Sequence, residues 1–370
     1  MTAGVRGEGW GARDAIVLLV TGATGLVGQA VIARLLADSR VTRVFVLARD
    51  PRRLAPMHAA DSRLVTVCGD LLLDGLGIDV GSRGLLAREV TGVVHLAADT
   101  SFSQSLEDAR AINVHGTRHL LEITAGWPRV ARWLYASTAF VQGHRTGVVA
   151  DDDGPGAGGW LNAYEQSKAE AESIVRDQRD DWVIARPSTI VCDDLAGSIT
   201  QVNAVHRALR LYSGGLAAML PGTDASTLDV VTTEYVADGI ACLALAPGVA
   251  RQTFHLCAGA GAMPLDELLD VTHAAFGRSP AWRRKGIARP VRADLATYRV
   301  FERAVDDIAS ERVKCAVRSL GFFVPQLAYP KRFCTARTDA LLGRGAPAVR
   351  DFWANMVAAL AGSAPAQVAT

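Results

Sequence analysis

Apolar residues in this chain follow two alternating patterns. Short, largely apolar runs recur at Ile16–Val20, Val44–Leu47, Arg63–Asp70, Val93–Ala98, Arg132–Ser137 and Trp182–Arg186, the last stopped by Pro187. Between them, Gln29–Leu36, Leu106–Ala125 and Ala163–Arg176 gather their apolar residues on one helical face. A strand that reads as continuous apolar sequence is buried on both faces, and helices between such strands supply the cover. The pattern predicts an α/β fold built on a doubly wound parallel sheet, with ligands at the carboxyl ends of the strands. From Asp193 onward it is less regular. Gly214-Gly215 and Pro221-Gly222 mark turns, Phe254-His255-Leu256 reads as a strand, and Pro264 to Thr272 as a helix with its proline near the first turn. No internal repeat is visible.

The first run leads into Thr21-Gly22-Ala23-Thr24-Gly25-Leu26-Val27-Gly28. A strand, a tight glycine turn and a helix in that order cradle a phosphate. Gly22 allows the sharp turn, Gly25 lets backbone approach a pyrophosphate, and Gly28 lets the helix pack on the strand. The helix N-terminus adds free N–H groups and the positive end of its dipole. The spacing is GxxGxxG. Gly22, Thr24, Gly25, Leu26, Val27 and Gly28 are therefore cofactor-binding candidates in a Rossmann-type domain. The second strand ends Val46-Leu47-Ala48-Arg49-Asp50. An NAD-binding strand carries an acid there for the ribose 2′-OH. Ala48 cannot accept such a bond, whereas Arg49 can pair with a 2′-phosphate, and Arg52 and Arg53 add charge. NADPH is the expected cofactor, with Asp50 as the opposing group should it turn inward. The expected organisation is a flexible tail over residues 1–14, an NADP-binding domain over 15–192, a smaller substrate-binding or lid region over 193–360 with segments returning to the sheet, and a frayed tail over 361–370.

The 370 residues are 49% hydrophobic with a net charge of only +1, which argues against wholesale nucleic-acid binding. The charge is unevenly placed: from Arg278 to Thr370 there are 16 Lys/Arg against 7 Asp/Glu. Such a stretch is either a solvated basic face or a surface for an acidic partner. The six cysteines form no CxxC pair and read as small core residues of a reducing compartment, not as disulfides or metal ligands. Residues 1–13 lack the apolar core of a signal peptide, and the longest apolar stretch, Val236 to Ala250, is broken by Asp238 and Pro247. A cytoplasmic protein is expected. His95 and His115 have no metal-ligand spacing, and no metal is expected. Asp151-Asp152-Asp153, followed by Gly154-Pro155-Gly156, reads as a solvated loop. Met219 and Leu220 could line an acyl pocket or belong to the core.

Tyr164 and Lys168 lie four residues apart, on one face of a helix. An ammonium there favours the phenolate and lowers the tyrosine pKa, and such a tyrosine can deliver a proton to a carbonyl oxygen as hydride reaches the carbon. Ser137-Thr138 ends the strand upstream and offers hydroxyls to the same oxygen. Asn113, a poor helix former inside a helical pattern, is either merely exposed or a helix-distorting residue that holds a water for proton relay.

Together with Gly69-Asp70, His95-Leu96-Ala97-Ala98, Asn113-Val114-x-Gly116-Thr117 and Arg186-Pro187-Ser188, these motifs make residues 16 to 190 resemble an extended short-chain dehydrogenase/reductase. The resemblance implies Tyr164 as acid/base, Thr138 at the family's Ser/Thr position with Ser137 before it, Lys168 holding the nicotinamide ribose, and Asn113 completing a tetrad. It places Asp70 near the adenine and Pro187-Ser188 beside the nicotinamide, with Leu71, Ala97 and Ala98 also at the cofactor. Val93 to Phe102, followed by Leu106-Glu107-Asp108-Ala109, is similar to the fatty acyl-CoA reductase and thioester reductase (male-sterility-type) group. That narrower likeness implies reduction of an acyl thioester, on CoA or a carrier protein, to an aldehyde and, in a second round, an alcohol. The basic cluster Arg283-Arg284-Lys285, with Trp282 as a stacking surface and Lys331-Arg332 nearby, is the candidate for the acidic carrier. The alternatives are an extended ketoreductase, dehydrogenase or sugar-nucleotide epimerase or dehydratase, and a non-catalytic dinucleotide-sensing regulator, against which the intact Tyr164 and Lys168 argue.

Overall fold

The computed structural model describes residues 10, 14–54, 60–321 and 324–362 of the chain. Seven parallel strands form its central sheet: β1 (Ile16–Thr21), β2 (Val41–Ala48), β3 (Leu64–Cys68), β4 (Gly92–His95), β5 (Arg132–Ala136), β6 (Trp182–Pro187) and β7 (Gln252–Leu256). Their spatial order is β7-β6-β5-β4-β1-β2-β3. The strand order reverses between β1 and β4, which opens the crevice where ligands of such sheets bind. All six residues of β1 are buried. Ile16, Leu18 and Val20 join one hydrophobic core and Val17 and Leu19 the other, because successive side chains of a strand point to opposite faces. That is why the strands read as unbroken apolar sequence.

Four helices position the site. Helix α1 (Leu26–Ala37) follows β1, α2 (Thr117–Ala125) precedes β5, α3 (Ala163–Gln178) precedes β6, and α4 (Thr233–Leu245) packs on α1. Helix α4 contains much of the long apolar stretch. It is buried almost all round, so it has no polar face to expose. Among the described residues no helix is long and apolar enough to cross a membrane.

The chain beyond residue 192 is stitched to the strand-end face. It supplies β7, Lys331–Phe333 pairs with Gly147–Val149, and helices Ala204–Ser213, Leu265–Gly277 and Val349–Gly362 surround an apolar core. Within the stretch expected to be a flexible tail, Trp10 is buried and its indole donates to the Ala244 carbonyl at 2.9 Å, so a large apolar ring docks what polar neighbours would leave free. The tails at 1–9, 11–13 and 363–370 lie outside the described residues. The Asp151–Asp153 segment is docked rather than solvated. Asp151 is buried and accepts the His255 N–H at 2.8 Å, Arg186 donates to the carbonyls of Asp151 and Asp153, and Asp152 pairs with Arg337 at 2.8 Å. Among the described residues no cluster could hold a metal ion. Cys192 and Cys257 are buried, but Cys68, at the outer end of edge strand β3, is exposed.

Candidate active site

The glycine turn has the shape its sequence implies. Gly22 has φ +73°, and a Cβ there would lie 2.6 Å from the Ala97 nitrogen. A Cβ on Gly28 would come within 2.2 Å of the Gly22 carbonyl, so the helix can approach the turn only without one. Gly25 is exposed and open, and as N-cap of α1 it offers no side chain to the first-turn N–H groups. A free N–H set at the mouth of the β1–β4 crevice fits a pyrophosphate. Thr24, Leu26 and Val27 are half-buried on this turn, and Ala97 and Ala98 are half-buried across the crevice. At the end of β2, Arg49 is exposed, while Asp50 is held by Arg52 at 2.9 Å, which keeps its carboxyl below the usual range. Asp70 closes its own turn by accepting the Leu72 N–H at 3.0 Å, and Leu71 is buried against Gly116.

The floor of the crevice is a hydrogen-bond chain of one polarity. Thr117 donates its hydroxyl proton to the Asn113 carbonyl at 2.7 Å, so it must accept from His95 Nε2 at 2.9 Å. His95 Nδ1 then accepts from Thr21 at 2.6 Å, and Thr21 accepts the Ala97 N–H. Burial drives His95 down to about 3, which keeps the ring neutral, as this chain requires. Asn113 lies in a π-helical stretch, Ala111–Gly116, where the Thr117 N–H bonds Val114 instead of Asn113. The Asn113 amide bonds both the N–H and the carbonyl of Asp99 and donates to Ser167 Oγ at 3.0 Å. Asn113 is fully buried, not exposed. It is a brace between the loop after β4 and helix α3.

Tyr164 stands in the first turn of α3, and Thr138 follows β5 in extended backbone. The Thr138 hydroxyl stands near the Tyr164 phenol and opposes the rise of its pKa, and Phe102 packs on the Tyr164 ring at 5.5 Å. Lys168, one turn further along α3, donates to the Ala136 carbonyl at 2.6 Å and lies 4.0 Å over the Tyr135 ring. Burial lowers its ammonium to about 7 and raises Tyr164 to about 12. The expected lowering of Tyr164 by Lys168 is thus reversed: the ammonium points at backbone, and desolvation of the phenol dominates. Ser137, expected at the substrate, faces the other way, because consecutive extended residues point to opposite sides. It is buried beside Glu172, which Arg186 grips with both nitrogens at 2.8 and 2.9 Å. Pro187 is half-buried at the end of β6, and Ser188 is buried near Asp229, whose carboxylate accepts the Ala258 and Gly259 N–H groups.

A family model described as male sterility protein, an NAD-binding domain, matches residues 20–240. The chain belongs to the male sterility protein family. With it, this domain is of an NAD-binding family. The hybrid PKS-NRPS synthetase gkaA of Penicillium citrinum is 28% identical over 233 residues, 60% of this chain and 6% of that protein. The polyketide synthase-nonribosomal peptide synthetase of Aspergillus clavatus is 30% identical over 282 residues, 71% of this chain and 7% of that protein. The chain therefore spans less than a tenth of the length of the curated relatives it matches. Among solved structures, the terminal R domain from the myxalamid PKS-NRPS biosynthetic pathway has the same fold, with a TM-score of 0.76 at 23% identity over 96% of this chain and 93% of that one.

The basic cluster of this male sterility family member is only partly as expected. Arg283, Arg284 and Lys285 are exposed and form no ion pair among the described residues. Trp282 is buried and donates to the Ser213 carbonyl at 3.1 Å, so it offers no stacking face. Its ring fills the gap between Tyr212, His273 and Phe276, a larger apolar gain than exposure would give. Lys331 is buried, and Arg332 is exposed. Sequence reasoning missed Glu165, Gln326, Phe102 and the Glu172–Arg186 pair. The spacing Asn162-x-x-Glu165 ahead of a helical run is a capping signal that could have found Glu165. Gln326 has no local signal.

Proposed function

We propose that this domain is an NADPH-dependent reductase of an acyl thioester carried on a carrier protein or on CoA. The observation that carries the reading is that the Tyr164 phenol and the Thr138 hydroxyl stand near each other at the strand ends beside the β1–β4 crevice. The family membership and the PKS-NRPS character of the relatives support a thioester as the group reduced. Residues 193–360 form the substrate-binding region in this reading, and free cysteines suit a cytoplasmic setting.

When bound, the nicotinamide supplies a hydride. Gly22 to Gly28 and the start of α1 hold its phosphates, and Lys168 its ribose. Tyr164 is a protonated phenol at neutral pH and donates to the thioester carbonyl oxygen, with Thr138 as second donor. As the new C–H bond forms, the carbonyl π pair moves onto oxygen and takes the Tyr164 proton. Collapse of the tetrahedral adduct re-forms C=O, breaks the C–S bond and releases a thiol and an aldehyde. A second round on the aldehyde gives an alcohol. Arg49, with Asp50 held by Arg52, supports NADPH over NADH.

Loss of NADPH absorbance across a panel of acyl thioesters, a ketone and a sugar nucleotide tests the reading. Turnover with a thioester and a trapped aldehyde is expected. Turnover confined to the ketone or sugar nucleotide, or none at all, overturns it. Arg49→Ala should cut the NADPH-to-NADH preference by about tenfold through loss of the phosphate partner. An unchanged preference refutes the assignment of NADPH.

A further inference from the structure

Tyr164 can be placed only as well as the first turn of α3 is placed. Asn162 caps that turn by accepting the Glu165 N–H at 2.9 Å, and Glu165 reaches back to accept the Leu161 N–H at 3.1 Å. A capping glutamate normally sits at the surface. This one is 1% exposed, next in sequence to Tyr164, and its other oxygen accepts from Gln326 at 2.6 Å and from Asn162 at 3.1 Å. Gln326 is itself buried, in the strap Val324–Ala328, and reaches α3 from 161 residues away. The strap faces two ways. Val324 and Leu327 line an apolar cavity of about 60 Å³ together with Leu209, Tyr212, Leu268 and Trp353, and Gln326 turns to Glu165. Ser226 pins the strap by donating to the Leu327 carbonyl at 2.5 Å.

Burying a carboxylate is costly, and capping alone does not require it. Burial drives the Glu165 carboxyl up to about 7, with the Lys331 ammonium, the Gln326 and Asn162 amides and the Leu161 N–H opposing that rise. We propose that Glu165 and Gln326 are positioning residues for the reduction, a buried clamp through which the C-terminal region holds Tyr164 in its proton-donating place. The inference rests on Tyr164 as proton donor, as argued above. A loose strap leaves the cofactor crevice intact but lets the first turn of α3 shift, and misplacing a reacting group by about 1 Å can cost on the order of a hundredfold in rate.

The test measures kcat, KM and NADPH affinity by fluorescence on the full chain. Gln326→Met keeps length and apolar stem but removes the donor, and kcat is expected to fall about tenfold with NADPH affinity within about twofold. Glu165→Gln should lower kcat in the same direction, because a flip of the Gln326 amide accommodates the new amide but leaves the Asn162 amide facing a second donor. Ser226→Ala loosens the strap without touching Glu165 and should lower kcat in the same direction. A kcat within twofold of wild type in both Gln326→Met and Ser226→Ala overturns the clamp, as does a loss of NADPH affinity equal to the loss of kcat. If Gln326→Met does not fold, Ser226→Ala decides alone. If the wild type reduces no thioester, the functional reading has failed, and the clamp is then scored on NADPH-dependent reduction of a simple aldehyde, which uses the same Tyr164 proton.

Discussion

In the proposed mechanism Tyr164 is a neutral acid whose proton stays on until an oxyanion develops beside it. A phenol held up at about 12 is fully protonated at physiological pH, with the Thr138 hydroxyl near it. Replacing Tyr164 with Phe keeps the ring against Phe102 and removes only the donor. We expect kcat to drop by about 10²- to 10⁴-fold, with NADPH affinity within about twofold, as single-turnover and fluorescence titrations would show. Wild-type kcat in this variant would exclude the mechanism. The candidacy of Tyr164, Thr138, Lys168 and Asn113 as site residues was legible from motif spacing. Their orientations were not, since the turn of Lys168 toward Ala136 and of Ser137 toward Glu172 depends on neighbours far away in sequence.

At the scale of elements, β1, β4 and the π-helical stretch are joined by the His95 chain, which tolerates only a neutral ring. His95 is lowered to about 3 in the fold, against an ordinary value near 6.5. The unfolded chain therefore binds a proton below about pH 6.5 that the folded chain refuses, so the stability His95 contributes is present above that value and lost as pH falls. Between pH 7 and 5 the loss from this residue is about 2 kcal/mol. Urea unfolding should show His95→Gln losing about that much less than wild type over the same interval. Equal pH slopes for the two proteins would mean that His95 is not held neutral by the fold. The strands and α3 were readable from apolar runs and amphipathic spacing, because those periods are local properties. The π-helical stretch was readable only as an anomaly at Asn113, whose side chain bonds Asp99 and Ser167, residues distant in sequence.

Over the whole molecule, the basic excess of the C-terminal third is largely answered from within. Arg289 and Arg292 pair with Asp266, Arg337 with Asp152, Arg344 with Asp238 and Arg350 with Glu267, all acids that precede Arg278. Arg283, Arg284 and Lys285 remain outward, as do Arg278, Arg303 and Arg332, so the contiguous cluster of three stays the candidate for the acidic carrier. Arg283→Glu with Arg284→Glu should raise KM several-fold for a carrier-linked thioester at low salt. KM for a small thioester and Tm should stay unchanged, and the effect should fade as salt shortens the Debye length from about 10 Å at 0.1 M toward 3 Å at 1 M. An equal KM for the double variant and wild type on the carrier-linked substrate would make the cluster a solvated face. The sheet, the glycine turn and the Tyr164–Lys168 spacing were determined by sequence alone, because each depends on residues a few positions apart. Tertiary structure alone decided that Trp282 is core, that the Asp151–Asp153 loop is a docking point for Arg186, and that Gln326 reaches Glu165. Each of these depends on which distant segments pack together, and no local period records that.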